Sequence, residues 1–332
     1  MSLHDQYLPD SPPTSTDPPR ARRRGRFDDE PEQGPARGRS GRRPVPETLE
    51  GPPPEGSPPG AAEWAEPNYS SWLGAVHGPL PRPGWVVTDL GAVDTELGVL
   101  KTGKEADVHL LERAVPGSGR SSLLAVKRYR SSEHRMFHRD AGYLEGRRVR
   151  RSREMRAMTT RTAFGRDLLA GQWASAEFAA LSRLWELGGG DDVDGDLGLR
   201  VPYPVQLIGT ELMLEFVGSP DGEAAPRLAQ LRPDGDELAD LWRQFVSAVR
   251  VLAVDGLAHG DLSPYNVLVH DGRLVVIDLP QVVDLVANPQ GTSFLARDVR
   301  VMTGWFTARG LPGHVADADR LTADLLEEAG LA

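Results

Sequence analysis

Two carboxylates and one carboxamide in the last third of the sequence are spaced for chemistry on a phosphate group. Asp261 lies five residues before Asn266, and Asp278 follows a short apolar run that ends in Ile277. Phosphoryl transfer needs one carboxylate at the acceptor hydroxyl. It also needs a second carboxylate and an amide oxygen to hold Mg²⁺, a hard ion that prefers oxygen ligands. The pattern predicts that Asp261 meets the acceptor, while Asn266 and Asp278 bind the metal.

The lysines of this chain are few and close together. Of its 38 lysines and arginines, only Lys101, Lys104 and Lys127 are lysines. Lysine carries a compact point charge and arginine a planar fork, so the two are not equivalent at a phosphate site. The clustering therefore indicates positions at which an ammonium group is needed. Lys127 also ends an apolar run that is typical of a buried strand.

The elements that position these residues can be predicted from the spacing of the apolar side chains. Strands are predicted at 85–87, 98–100, 106–111, 123–127, 205–208 and 212–217, with a hairpin at 267–269 and 274–277. Helices are predicted at 168–187, 238–254, 292–307 and 316–329. Asp261 and Asn266 therefore fall in a loop between a helix and a hairpin, and Asp278 comes directly after that hairpin.

Composition excludes several classes of protein. The 332 residues are 39% apolar and contain no cysteine, which excludes disulfide frameworks, thiolate zinc sites and cysteine nucleophiles. A net charge of −10 argues against a nucleic-acid binder whose whole surface is basic. Without an apolar run of about 18 residues or a secretory leader pattern, the predicted compartment is the cytoplasm. Residues 1–83, rich in proline and arginine at their start, are predicted to form a disordered tail.

Five motifs, in order along the chain, resemble those of RIO-type atypical serine/threonine kinases. The most specific motif runs from His259 to Leu268 and is completed by Asp278. The others are a short loop at 101–106, the strand lysine at 125–127, Trp173 with Glu177 on a helix, and residues 294–299. The chain is identified as a member of this family, and its use of arginine, alanine and proline suggests a bacterial source.

The resemblance implies an α+β, two-lobed protein-kinase-like fold over residues 84–332. The N-lobe (84–217) would hold a small antiparallel sheet and one helix, and the C-lobe (218–332) would be mostly helical, with a truncated C-terminal region. The implied activity is that of a serine/threonine kinase using ATP and Mg²⁺, or Mn²⁺. It would phosphorylate a protein or itself, or act as an ATPase switch.

The resemblance also assigns roles to individual residues. Asp261 would be the catalytic aspartate, Ser263 would contact the γ-phosphate, and Lys127 would bind the α- and β-phosphates and pair with Glu177. Glu186 is a rival partner for Lys127, and Glu154 a more remote one. The adenine would lie between Ala125 and Ile277, with Met213 behind it. The implied nucleotide-binding residues are Thr102, Gly103, Lys104, Glu105, Ala106, Ala125, Lys127, Glu215, Val217 and Ile277.

Some residues depart from the family pattern and leave alternatives open. Gly260 replaces the usual alanine, and it also fits the loop of small-molecule phosphotransferases of the aminoglycoside or choline kinase type. Against that alternative, Pro280 and its neighbours stand where those enzymes usually have a further acidic residue. A third hypothesis is a scaffold protein that binds ATP without turning it over. The basic stretch 127–166 is a candidate contact for RNA or the ribosome.

Overall fold

The computed structural model describes residues 67–130, 163–188 and 198–331. A six-stranded antiparallel sheet occupies the N-terminal half, with the strand order β1-β5-β6-β4-β3-β2. Its strands are β1 (Val76–His77), β2 (Val93–Thr102), β3 (Ala106–Val115), β4 (Arg120–Tyr129), β5 (Pro204–Ile208) and β6 (Glu211–Glu215). The long helix α1 (Ala163–Leu187) lies between β4 and β5 in the chain and contacts both strands and β6.

Strand β4 shows how the sequence sets the two faces of this sheet. Alternate residues of a strand point to opposite faces. Leu124 and Val126 are buried on one face, while Ala125, Lys127 and Tyr129 share the other. Lys127 therefore projects from the same face as Tyr129, two residues later.

The C-terminal half is mostly helical and holds two small antiparallel pairs of strands. The helices are α2 (Gly235–Val254), α3 (Gly291–Thr307) and α4 (Ala318–Glu328). The strand pairs are β7 (Leu257–Ala258) with β10 (Val283–Asp284), and β8 (Val267–His270) with β9 (Arg273–Val276). Asp234 caps α2 by accepting hydrogen bonds from the N–H groups of its first turn.

The mixed α+β fold class is confirmed, but several predicted boundaries are wrong. Residues 85–87 form no strand, although Val86 and Val87 are buried. The N–H of Val86 donates to the carbonyl of Pro83 at 3.1 Å, so this segment closes a turn and does not pair with a strand. Strand β6 ends two residues before the predicted position, and α1 begins five residues earlier than predicted.

The predicted tail overlaps the folded part of the chain. Within residues 67–83, Trp72 is buried and β1 pairs with β5, so ordered structure begins before residue 84. Residues 1–66 and most of the basic stretch 127–166 lie outside the described residues. Among the described residues, no helix is long and apolar enough to cross a membrane. The cytoplasmic location stays a prediction.

Candidate active site

A cavity of about 600 Å³ lies between the sheet, the segment after β6 and the end of the β8–β9 hairpin. Its lining includes nine of the ten predicted nucleotide-binding residues, the exception being Thr102. Those nine are Gly103, Lys104, Glu105, Ala106, Ala125, Lys127, Glu215, Val217 and Ile277. Glu177 and Asp278 line the same cavity, whereas Asp261, Ser263 and Asn266 belong to the loop beside it.

Lys127 connects three separate segments at one side of the cavity. Its Nζ lies 2.8 Å from Oε1 of Glu177 on α1 and 2.7 Å from Oδ1 of Asp278 after β9. Burial alone would lower the pKa of Lys127, but the two carboxylate charges outweigh burial and raise the pKa above its ordinary value. The ammonium group is therefore charged at neutral pH and aimed into the cavity.

Asp278 is held ionised by the same contact. Burial would raise the pKa of this carboxyl group, but the charge and hydrogen bond of Lys127 outweigh burial and hold the pKa below its ordinary value. The backbone of Asp278 has a φ of 67°, in the region that favours glycine. The side chain at this turn is the one that contacts Lys127.

The carboxylate of Glu177 is enclosed by three donors. The side chain is 1% exposed, and it accepts hydrogen bonds from Lys127, from the hydroxyl of Tyr129 and from the N–H of Leu279 at 3.3 Å. Burial, and then the charge of Glu177, raise the pKa of Tyr129 well above its ordinary value, so the phenol stays protonated as a donor. Tyr129 is not among the residues predicted from the sequence, although its spacing of two from Lys127 indicates that both lie on one face of the strand.

The loop that carries Asp261 is joined to the Asp278 segment by hydrogen bonds. The side-chain amide of Asn266 donates to the carbonyl of Asp261 at 2.9 Å, and the N–H of Ile277 donates to the carbonyl of Asn266 at 3.0 Å. His259 accepts from the N–H of Asp261 through Nδ1, so its Nε2 carries the proton and donates to the carbonyl of Ile277. The loop and the hairpin therefore form one unit.

Asp298 on α3 holds the backbone of this loop by hydrogen bonds. Its two carboxylate oxygens accept hydrogen bonds from the N–H groups of Gly260 at 2.7 Å and Leu262 at 3.0 Å. Burial raises the pKa of Asp298 despite these two donors. Gly260 has a φ of 84°, and a Cβ there would lie 2.3 Å from the carbonyl oxygen of Gln281. A side chain larger than that of glycine would therefore strain the loop at this departure from the family pattern.

A cation that lies in the motif 294–299, and to which the motif assigned no role, contacts the predicted catalytic aspartate. Arg297 donates from Nη2 to Oδ1 of Asp261 at 2.7 Å and from Nη1 to the carbonyl of Gly260 at 3.2 Å. The contact joins residues 36 positions apart, so no local spacing could indicate it. Arg227 also lines the cavity, and burial followed by the charge of Arg227 lowers the pKa of Lys101.

The predicted position of Met213 behind the adenine is wrong. Leu214, one residue later, lines the cavity. Met213 is buried elsewhere, with Sδ 3.4 Å from a guanidinium nitrogen of Arg113. Adjacent residues of a strand point to opposite faces of the sheet. A prediction that is wrong by one position therefore places the side chain on the wrong face.

The donor set around Asp278 fits Mg²⁺. The side-chain nitrogen of Asn266 donates to the carbonyl of Asp261, so its carboxamide oxygen is the atom that would join the Asp278 carboxylate in binding a metal ion. Among the described residues, no group of three or more histidine, cysteine or acidic side chains could hold a metal by itself. Mg²⁺ is commonly held by one or two protein oxygens, with substrate phosphates and water completing its shell.

Comparison with known proteins gives concordant matches. A family model described as the RIO domain matches residues 116–320. The chain is 35% identical over 230 residues to the RIO-type serine/threonine-protein kinase Rio1 of Haloferax volcanii, covering 69% of this chain and 67% of that protein. It is 27% identical over 235 residues to serine/threonine-protein kinase RIO1 of Saccharomyces cerevisiae, and 30% identical over 216 residues to RIO1 of Caenorhabditis elegans.

The matches cover only part of the eukaryotic relatives. The region shared with the yeast protein is 64% of this chain and 44% of that protein, and the region shared with the nematode protein is 65% and 38%. The relatives named here are archaeal and eukaryotic, so they give the predicted bacterial source no support.

Proposed function

Because the chain belongs to the RIO family of serine/threonine kinases, we propose that it transfers the γ-phosphoryl group of ATP with the help of Mg²⁺. Family membership confirms the predicted kinase fold and enzyme class. The observation that carries the finer proposal is the contact of Lys127 with both Glu177 and Asp278 at the wall of a cavity of about 600 Å³.

The sheet side of the cavity suits the nucleotide. Ala125 and Ile277 offer apolar contacts to the adenine, and the backbone of Glu215 and Val217 offers hydrogen bonds to its edge. Gly103 fits the phosphate loop because a Cβ there would lie 2.8 Å from the carbonyl oxygen of Ala106. The remaining loop residues assigned to the nucleotide are Thr102, Lys104, Glu105 and Ala106.

Charged residues at the other end of the cavity suit the phosphates. Lys127 offers a desolvated ammonium group to the α- and β-phosphates, and Glu177 holds it in place. Asn266 and Asp278 would hold Mg²⁺, which when bound neutralises negative charge on the phosphate oxygens. The ionised state of Asp278 keeps its carboxylate available as a ligand.

In this proposal Asp261 acts on the group that accepts the phosphoryl. Its carboxylate orients the acceptor hydroxyl and accepts the proton as the new bond to phosphorus forms. Ser263, two residues later in the same loop, offers a hydroxyl to the γ-phosphate. The acceptor is a serine or threonine of a partner protein or of this chain, and water in the ATPase alternative.

The test is incubation of the full chain with Mg²⁺ and γ-labelled ATP, alone and with candidate acceptor proteins, aminoglycosides, choline and ribosomal RNA. Labelled protein or released phosphate from the wild type supports the proposal. Asp278→Asn should lose at least about 100-fold in turnover. Asp271→Asn is the matched control, because Asp271 lies exposed in the β8–β9 turn, where asparagine tolerates its φ of 51°.

Three outcomes separate the alternatives. If an aminoglycoside or choline is labelled and no protein is, the chain is a small-molecule phosphotransferase and not a protein kinase. ATP binding without any turnover would favour the scaffold. Affinity for ribosomal RNA that weakens with salt would support the RNA contact predicted for 127–166, a stretch that lies mostly outside the described residues.

A further inference from the structure

Two consecutive residues of α3 hold three consecutive residues of the loop that carries Asp261. Asp298 accepts hydrogen bonds from the backbone N–H groups of Gly260 and Leu262, on either side of Asp261. Arg297 donates to the carbonyl of Gly260 and to Oδ1 of Asp261 itself. The four bonds therefore fix the backbone of the loop and one side chain in it.

The two residues contribute differently to this contact. Asp298 is buried, so its bonds hold the fold of the loop. Arg297 is 44% exposed, and the Asp261 carboxylate that it contacts is 31% exposed. Salt bridges with this much exposure contribute little to stability. The consequence of the Arg297 contact is therefore expected in the orientation of the carboxylate rather than in the stability of the domain.

The shape of arginine suits this task. A guanidinium group is a planar fork whose two terminal nitrogens can bind two acceptors at once. In this structure Nη1 donates to the carbonyl of Gly260 and Nη2 donates to the carboxylate of Asp261. The backbone contact fixes the fork, and the fork then restricts rotation of the carboxylate. Lysine has one nitrogen and cannot reproduce both contacts in the same geometry.

We propose that Arg297 is a positioning residue for phosphoryl transfer, which holds the Asp261 carboxylate in the orientation that receives the acceptor hydroxyl. The inference rests on the function proposed above, because it presupposes that Asp261 meets the acceptor. Arg297 lies outside the cavity lining, so its role concerns the transfer step and not the affinity for ATP.

The test compares Arg297→Met, Arg297→Lys and Arg297→Ala with the matched control Arg300→Met in the full chain. Arg300 is exposed on the same helix and makes none of the four bonds. For Arg297→Met we expect kcat to fall about 10–100-fold, because misplacing a reacting group costs that much. The KM for ATP should stay within about twofold and the melting temperature close to the wild type. Arg297→Lys should regain only part of the loss, and Arg300→Met should match the wild type.

Chemical rescue separates positioning from a structural role. Guanidinium ions, added far below the concentrations that unfold proteins, should restore part of the turnover of Arg297→Ala. They should leave the turnover of Arg300→Met unchanged and should not restore that of Asp261→Asn. An Arg297→Met protein with wild-type kcat, alongside an inactive Asp261→Asn, would overturn the inference and leave the proposed function standing. Loss of ATP affinity and stability without rescue would also overturn it. Wild-type protein without Asp261-dependent turnover would remove the proposed function and the inference together.

Discussion

Replacing Lys127 with methionine removes the ammonium group that lies 2.8 Å from the buried carboxylate of Glu177. At that distance and an effective dielectric constant near 20, the pair attracts by about 6 kcal/mol, against the cost of desolvating both ions. Breaking a buried pair by removing one partner typically costs about 3–5 kcal/mol, because a charge is left without compensation. Glu177 would still accept bonds from Tyr129 and Leu279, so we expect the lower end, about 3 kcal/mol.

The second contact of Lys127 should add little to this loss. The side chain of Asp278 is 38% exposed, so water screens its interaction with the ammonium group. For a domain of this size, a loss of about 3 kcal/mol lowers the melting temperature by roughly 6–12 °C.

A double-mutant cycle measures the pair itself. Unfolding by urea and by heat is followed for the wild type, Lys127→Met, Glu177→Gln and the double variant. The double variant removes both charges, so we expect it to be more stable than the sum of the single losses by about 1–3 kcal/mol. Lys104→Met is the control, because Lys104 is an exposed lysine in the same region and should change stability by under about 0.5 kcal/mol. Additive losses, or a Lys127→Met protein as stable as the wild type, would refute the reasoning.

Three further predictions concern the same site. Gly260→Ala should cost about 1–3 kcal/mol of unfolding free energy in urea, because its positive φ and a carbonyl oxygen 2.3 Å from the new Cβ strain the loop. Tyr129→Phe should cost about 1–3 kcal/mol by leaving Glu177 one donor short, and should raise the KM for ATP in steady-state assays. The lowered pKa of Asp278 contributes stability that is present above its ordinary value of 3.8 and lost as the pH falls through the folded value. The raised pKa of Lys127 contributes stability that is present below its ordinary value of 10.5 and lost as the pH rises through the folded value. The contribution of these two groups to the melting temperature should therefore be constant between about pH 5 and 9. Below that range the melting temperature should fall less for Lys127→Met than for the wild type.

Local spacing explains which parts of the site could be predicted. Asp261, Asn266 and Asp278 lie within one loop and hairpin, so the chain itself keeps them close. Lys127 could be predicted because an apolar strand carries it. Glu177 joins it from 50 residues away, and only the family resemblance indicated that pair.

The groups that hold the loop carrying Asp261 could not be found from local spacing. Asp298 and Arg297 contact residues 36 to 38 positions earlier, across a hairpin and into another helix. Asp298 did leave a signal in the sequence, since it is an acidic residue between Leu295 and Val299 on the apolar side of α3. Such a residue needs buried donors, and the structure supplies them from the loop.

The most direct test of the central claim separates ATP binding from ATP turnover in one variant. Asp261→Asn keeps the size of the side chain and the cavity lining, which Asp261 does not join. Calorimetric titration with a non-hydrolysable ATP analogue and Mg²⁺ should give wild-type affinity, while turnover of labelled ATP should fall at least about 100-fold. Turnover at the wild-type rate with the same affinity would contradict the assignment of Asp261 to phosphoryl transfer.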